Sequence, residues 1–565
     1  MEKTECFNKN LLSLKKRNPE LAGRLEKHIS LDRQNSMYKV EKGRSGSLIP
    51  HISDLKGSFK PLHSLINPQR EAYRLLEITE GGFIILLGLG GAYHALAALE
   101  NKNTAMLLLI DYNLEDLAGL FFHIDYTPLF NDIRFHILID PKDYEIENHI
   151  IKNYYPVIFG NINILPLRAR TNSEPELFNK TADIISSSIE KISSDFSVQS
   201  HFGLRWFSNI IKNVFSLEKS RLSGDIDLPK INKAAICAAG PSLSIQLEEI
   251  KMVKNDHFII STDTALPSLL NADIKPDAVI SLDCQHIGYQ HFFCGIPDDT
   301  FFFLDIASPP SFSSLSKKPV FFTGSHPLGQ YISANFCSLP VLDLSGGNVS
   351  HGALSLAEFL GAEEIILFGA DFSYPMGISY AKGTYIYSHF EKFQKRFNPL
   401  EAQTSAFLYR SPLEKIQKKD NEKMFYYESN TLKTYRNKLE EKSLNMNARI
   451  RAAKGLGAPI KIQQENSIPT GNNPGFNPEK FIHSKPSMEG RDFIKHYTKD
   501  IENLPVIKDN PVEYLSSLDK KSLELFTCLL PAMAAIQKKN TEDKFPLLFE
   551  KCRKIFIDKL SIPKA

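Results

Sequence analysis

The chain of 565 residues has almost no net charge, its 67 Lys and Arg facing 65 Asp and Glu for a formal +2. Without a global positive field or a basic stripe interleaved with aromatics, nothing in the composition points to nucleic acid. Cysteine is sparse. The seven, at positions 6, 237, 284, 294, 337, 528 and 552, form no C-x-x-C pair, which argues against both a zinc ribbon and a disulfide framework. Long apolar runs are missing too. The longest, FIILLGLGGAYHALAAL at 83–99, is broken by Gly88, Gly90, Gly91 and His94, whereas a membrane helix wants about 20 apolar residues. The opening MEKTECFNKN carries no apolar secretory segment. A cytoplasmic protein with no membrane span is expected.

What is present is alternating α/β pattern on a scale of several domains, about 150 residues each. Residues 1 to about 60 are polar, with helical spacing in NLLSLKKRNPELAGRLEKHI. Strands are expected at 82–88, 104–111, 133–140 and 156–165, with helical periodicity between the earlier ones. A largely helical connector holds the single Trp, Trp206. A second series of strands is expected at 233–240, 257–262, 278–283, 300–306, 319–324, 339–345 and 363–372. Several are unbroken apolar runs, as in a sheet buried on both faces. Residues 400–460 and the last 75 read as helical, and 463–490, rich in Pro, Gly and Asn, as a linker. The fold class is therefore α/β: two Rossmann-like doubly wound domains in series plus a helical C-terminal domain. The expected boundaries are 1–215, 216–462, 463–490 and 491–565.

Two glycine-rich turns are candidates for binding. LLGLGGAYH at 86–94, followed by Asp111 at the end of the next strand, resembles a dinucleotide fingerprint but lacks its third glycine, which favours a scaffold without cofactor. ICAAGPSLSIQLEEI at 236–250 runs a strand through Gly-Pro-Ser into a helix. Gly240 permits close backbone approach, Pro241 suits the first helical position, and Ser242, Leu243 and Ser244 present N–H groups at a positive helix end. By itself this is either a plain helix start or an anion cradle. Further polar residues stand at strand ends, where ligands of such sheets bind. They are Asp263 and Thr264, Asp283 and Gln285, the turn with Ser345, Gly346, Gly347, Asn348, Ser350 and His351, and Asp371 with Tyr374 and Tyr380 beyond it. A purely structural account explains each of these singly and their coincidence poorly. No metal cluster is apparent.

The segments AAGPSL, STDTAL, IKPDAVISLD and SGGNVSHGALSLAEFLGAEEIILFGADFSY resemble the motility accessory factor (Maf) family, bacterial flagellin glycosyltransferases with a DUF115-type core. NLLSLKKRNPELAGRLEKH and NMNARIRAAKGLGAPI resemble it as well, so the likeness covers most of residues 7–460. That core is similar to small bacterial CMP-sialic-acid sialyltransferases, where Gly-Pro-Ser-Leu lies by the nucleotide and two tyrosines hold the donor phosphate. Tyr374 and Tyr380 fall on that pattern after a one-residue shift. The chain departs from it in having Ala239 where those enzymes have Asn, and in His389 lying closer to the second tyrosine than their catalytic His does.

The resemblance implies transfer of a nonulosonic acid, pseudaminic or legionaminic in type, from a CMP-activated donor to Ser or Thr of flagellin, needed for flagellar assembly and motility. Gly240, Pro241, Ser242 and Leu243 would hold the nucleotide, Asp263 and Asp283 would suit its hydroxyls and amines, and Thr264, Gln285, Ser345, Gly346, Gly347, Asn348 and Asp371 would complete the binding cleft. Tyr374 and Tyr380 would donate to phosphate, with His351 or His389 as base. No cofactor is obligatory, and a divalent cation is optional. Two rivals are a 6-hydroxymethylpterin diphosphokinase-like enzyme and a flagellin-binding scaffold without catalysis. The first is disfavoured because Ser-Leu-Asp-Cys at 281–284 supplies a single carboxylate for magnesium.

Overall fold

The computed structural model describes residues 2–28, 38–53, 58–77, 79–222, 228–418, 423–462, 485–507, 510–540 and 544–561. The chain divides into two compact units. One comprises Met1–Gly203, Leu504–Leu523 and Met533–Ile555; the other comprises Leu204–Asn503, Glu524–Ala532 and Phe556–Ala565. The stretch 491–565, expected as one helical domain, is thus shared between them. The linker expected at 463–490 lies outside the described residues as far as 484.

In the first unit, helices Glu2–Arg17 and Pro19–His28 match the helical spacing of the opening. An antiparallel sheet, not foreseen, follows: β1 (Tyr38–Lys42), β2 (Leu48–Ser53) and β3 (Phe59–Pro61). A parallel sheet is built from β4 (Gly82–Leu87), β5 (Thr104–Asp111), β6 (Phe135–Ile139) and β7 (Ile162–Pro166), in the order β6-β5-β4-β7. β5 is buried at every position, which is why its apolar run does not alternate. The strand expected at 156–165 begins instead as a helical turn, Pro156–Phe159. Pro156 suits a first helical position, and Gly160, at φ 66°, reverses the chain into β7.

The second unit is a seven-stranded sheet in which every neighbouring pair is parallel. Its strands are β8 (Lys233–Cys237), β9 (Phe258–Thr262), β10 (Ala278–Ser281), β11 (Phe301–Asp305), β12 (Pro319–Phe322), β13 (Glu364–Phe368) and, beyond the small sheet named below, β17 (Arg449–Ala452). The order is β12-β11-β10-β9-β8-β13-β17. Alternate residues feed two cores: Ile236, Ile260, Ile280 and Phe303 pack with the helix Val349–Phe359, while Ala235, Cys237, Ile259 and Phe368 pack with the helix Leu243–Val253. This two-sided burial accounts for the unbroken apolar runs.

Two expectations fail here. The strand at 339–345 shrinks to a single bridge between Thr323 and Val341. Residues 400–460, expected to be helical, hold helices Leu400–Leu408 and Asn430–Asn445 but also three strands. β15 (Glu414–Gln417) and β16 (Phe425–Glu428) join β14 (Tyr374–Pro375) in a small antiparallel sheet, and β17 pairs with β13. Arg449 and Arg451 are exposed and Ile450 is buried, a period of two that four residues are too short to advertise. The helix Pro175–Leu222, 48 residues long, contains the expected connector.

Candidate functional site

Strand order in the large sheet reverses between β8 and β13, and at such a reversal the diverging loops open a crevice at the carboxyl ends of the strands. The Gly-Pro-Ser loop leaves β8 there, and Asp371 follows β13. The structure joins the two. The Asp371 carboxylate accepts the Ser242 N–H at 2.8 Å, the Ser242 hydroxyl, and the Gly457 N–H at 2.9 Å. Ser242 Oγ accepts the Leu456 N–H at 2.7 Å. A Cβ on Gly240 or Gly457 would collide with the Asp371 side chain, so both positions require glycine.

This corrects the expected role of the loop. The Gly240 N–H donates to Gly369 O, that of Leu243 to Gly240 O, and that of Ser242 to Asp371. The N–H groups assigned to a nucleotide are engaged within the chain; the anion in the cradle is the protein's own carboxylate. Asp371 is correspondingly a latch between loops and is 4% exposed. Burial raises its pKa, opposed by the bonds from Ser242 and Gly457. A cavity of about 500 Å³ lies beside the latch, lined by Ser242, Asp371, Lys418, Tyr426 and Lys454 among others.

The remaining polar residues gather across the ends of β9 and β10. Asp263, buried, accepts the Thr264 N–H and hydroxyl at 2.7 and 3.1 Å and the Ser281 hydroxyl at 2.8 Å. Asp283 is half-buried and accepts the Gln285 N–H at 2.8 Å. Its pKa is raised by burial and then by the Asp263 charge, with His291 and Arg205 opposing. Tyr380 is pushed up to about 12, by burial first and then by Tyr385, Tyr374 and Asp263, with Arg410 opposing, so at neutral pH it is a hydroxyl donor. Tyr385 is raised by burial, Asp263 and Asp283, and lowered by Arg410. Its ring meets that of His291 edge-on, centroids 4.4 Å apart. The charges of Asp263 and Arg410 thus act on both Tyr380 and Tyr385, Asp283 acts on Tyr385, Tyr374 acts on Tyr380, and His291 joins them through its ring contact with Tyr385.

Tyr385, His291 and Arg410 were not picked out in the sequence. Tyr385 extends the spacing of Tyr374 and Tyr380 along one segment and could have been noticed; His291 and Arg410 come from elements far apart in the chain.

The other expected residues form a network of their own. Asn348 caps the helix Val349–Phe359, accepting the His351 N–H at 3.1 Å. His351 Nε2 lies 3.2 Å from Asp343 Oδ2, which also takes Lys442 Nζ at 3.2 Å. The Ser345 N–H donates to Asp343 Oδ1, Ser345 O accepts Lys438 Nζ at 2.8 Å, and Gly346 packs against the His351 ring. Gly347, at φ 70°, turns the chain into the helix. His351 is 1% exposed, its pKa is lowered chiefly by burial, and its Nε2 is already engaged with Asp343. His389 lies half-buried in the helix Tyr385–Lys392 with its ring 5.0 Å from Phe393.

In the first unit the glycine-rich loop after β4 is filled from within. Asp111 accepts the Leu89 N–H at 2.7 Å and the Nε–H of fully buried Arg170 at 3.0 Å, and the Gly91 N–H donates to His63 Nε2 at 2.8 Å. His63, Glu71 and His94 bring ligand-type atoms within 4.8 Å of one another. However, a neutral His63 that accepts at Nε2 carries its proton on Nδ1, leaving neither nitrogen a lone pair for an ion.

A family model described as 6-hydroxymethylpterin diphosphokinase MptE-like matches residues 208–377. Proteins of Treponema pallidum (strain Nichols), each described as uncharacterized, are similar in sequence. One is 32% identical over 177 residues, 31% of this chain and 82% of its own length. A second is 39% identical over 126 residues, 22% of this chain and 45% of its own, and a third is 27% identical over 248, 41% and 53%. Among solved structures, the Maf glycosyltransferase from Magnetospirillum magneticum AMB-1 superposes with a TM-score of 0.60 at 15% identity, covering 99% of this chain and 98% of that one. The chain belongs to the family of the first of these Treponema pallidum proteins, with the DUF115-type, MptE-like core at its centre and the fold of the Maf glycosyltransferase from end to end.

Proposed function

We propose that the protein is a glycosyltransferase that moves a nonulosonic acid from its CMP ester to Ser or Thr hydroxyls of flagellin. The observation that carries this reading is the gathering of Asp263, Asp283, Tyr374, Tyr380, Tyr385 and Arg410 at the carboxyl ends of the sheet's strands, in a chain that shares its whole fold with a glycosyltransferase. In the reaction the bond from the anomeric carbon to the CMP phosphate oxygen breaks, CMP leaving with the electron pair. The acceptor hydroxyl oxygen bonds to that carbon and gives its proton to a base.

Asp263, with its remaining lone pair, orients a nucleotide hydroxyl. The neutral hydroxyls of Tyr380 and Tyr385, with Tyr374 and the Arg410 cation, stabilise charge on the departing phosphate. Asp283 takes the acceptor proton, since its raised pKa suits a base better than an ordinary carboxylate does. Calorimetric titration with CMP tests the donor assignment: wild type binds, and Asp263→Asn binds about tenfold more weakly or worse, the loss of one charge-assisted hydrogen bond. A wild type that binds neither CMP nor CMP-nonulosonic acid would sink the assignment.

A second reading is favoured by one finding. The MptE-like match is joined by folding that brings Asp263 beside Asp283, giving two carboxylates where the sequence alone offered one. Magnesium-dependent consumption of ATP with a pterin alcohol, absent flagellin, would select diphosphoryl transfer instead.

A further inference from the structure

The site is rimmed by exposed apolar residues. Phe293 is 67% exposed, Ile287 51%, Met376 46%, Phe393 53%, Tyr409 58% and Phe397 94%. They lie on segments that also carry site residues, and two of these, 287–293 and 385–393, touch each other. His291, between Ile287 and Phe293, stacks edge-on against Tyr385, and Lys392 Nζ lies 5.8 Å from the centroid of the Phe293 ring. Contiguous exposed apolar surface with a polar rim marks an interaction face.

Phe397 is the most telling. Lys395 and Asn398 exchange backbone hydrogen bonds, 3.1 and 2.9 Å, closing a two-residue turn with Arg396 and Phe397 at its tip. The turn carries a bare phenyl ring into water, with the Arg396 guanidinium 5.8 Å from the ring centroid. A solvent-facing aromatic beside an arginine has the composition of an interface anchor.

Charge identifies the occupant. Lys392, Lys395 and Arg396 stand on this rim, and none forms an ion pair among the described residues. Only Glu391 and Glu401 oppose them between positions 385 and 410, in a chain that is otherwise almost neutral. We infer that this face, from Ile287 to Phe293 and from Met376 to Arg410, docks the acceptor polypeptide, through a segment that presents apolar side chains flanked by carboxylates. The inference rests on the transfer reading, because the face borders the same site. A bilayer with anionic headgroups is the rival occupant of a basic, apolar face, and the vesicle arm of the test below separates the two.

The test uses the full chain and unglycosylated flagellin purified from a strain lacking this protein. Phe397→Asp and, separately, Arg396→Glu should each weaken flagellin binding about tenfold or more, with CMP affinity unchanged. Both side chains lie at an exposed turn, so neither variant threatens folding. Unchanged flagellin affinity in both variants overturns the proposal, as does a wild type that binds CMP but no flagellin. Binding to phosphatidylserine vesicles that is lost in Phe397→Asp, with flagellin binding intact, overturns it in favour of a membrane face. Failure to bind CMP instead strikes the donor reading, and the flagellin measurement still decides the docking face.

Discussion

Replacing Asp371 by Asn tests whether the Gly-Pro-Ser loop is a latch or a ligand cradle. The carboxylate accepts two backbone N–H groups, from Ser242 and Gly457, and the Ser242 hydroxyl. An amide has one acceptor oxygen, so its NH₂ must face at least one of these donors. One orphaned buried donor costs about 1–3 kcal/mol, and loss of charge assistance in the surviving bonds adds about 1 kcal/mol. Burial has raised the carboxyl pKa, so removing the charge relieves part of its desolvation. The net expectation is a loss of about 2 kcal/mol in the stability of the second unit. Trp206, the only tryptophan, belongs to that unit and reports its unfolding in urea by fluorescence. The midpoint should fall while CMP affinity stays within about twofold of wild type, since no ligand group is removed. An unchanged midpoint with CMP affinity reduced by tenfold or more would refute the latch.

Two further outcomes follow from the same geometry. Tyr385→Phe should lower the rate of transfer by about a hundredfold, as for loss of one donor to developing charge, with little change in CMP affinity; steady-state kinetics paired with titration separates the two, and lost binding with intact turnover removes Tyr385 from the phosphate role. His149 is depressed from 6.5 to about 4, by burial and then by His136, whose Nδ1 lies 3.1 Å from its Nε2. The unfolded chain takes up that proton below pH 6.5 and the folded chain only near 4, so the stability is present above 6.5 and lost as the pH falls between them. That interval corresponds to about 3 kcal/mol. Thermal unfolding of His149→Gln should therefore depend less steeply on pH over this range than wild type does, and identical slopes would remove His149 from the account.

Much of the architecture was legible because buried parallel strands need unbroken apolar runs. β4 to β6 and most of β8 to β13 lie where such runs occur, as do the turns that connect them to helices. β17 was not legible. Arg-Ile-Arg-Ala is a strand only because β13 offers it an edge, and its charged neighbours read as helix. The N-terminal sheet was hidden likewise, its strands short and its partners supplied by one another. Of the site, the carboxylates and two tyrosines were visible as polar residues ending apolar strands, whereas His291 and Arg410 carry no signal until the chain closes around them.

Sequence by itself thus determined the sheet-forming segments, their parallel class and the strand ends where polar groups collect, since each of these is a local matter of apolar periodicity and turn chemistry. Tertiary structure alone decided what those groups do. Gly-Pro-Ser could cradle a ligand or a side chain with equal chemistry, and it is the return of the chain at Asp371 and Gly457 that fills the cradle from within. Donor groups are satisfied by whichever acceptor folding brings nearest, and across the 129 positions between Ser242 and Asp371 no local rule names that partner.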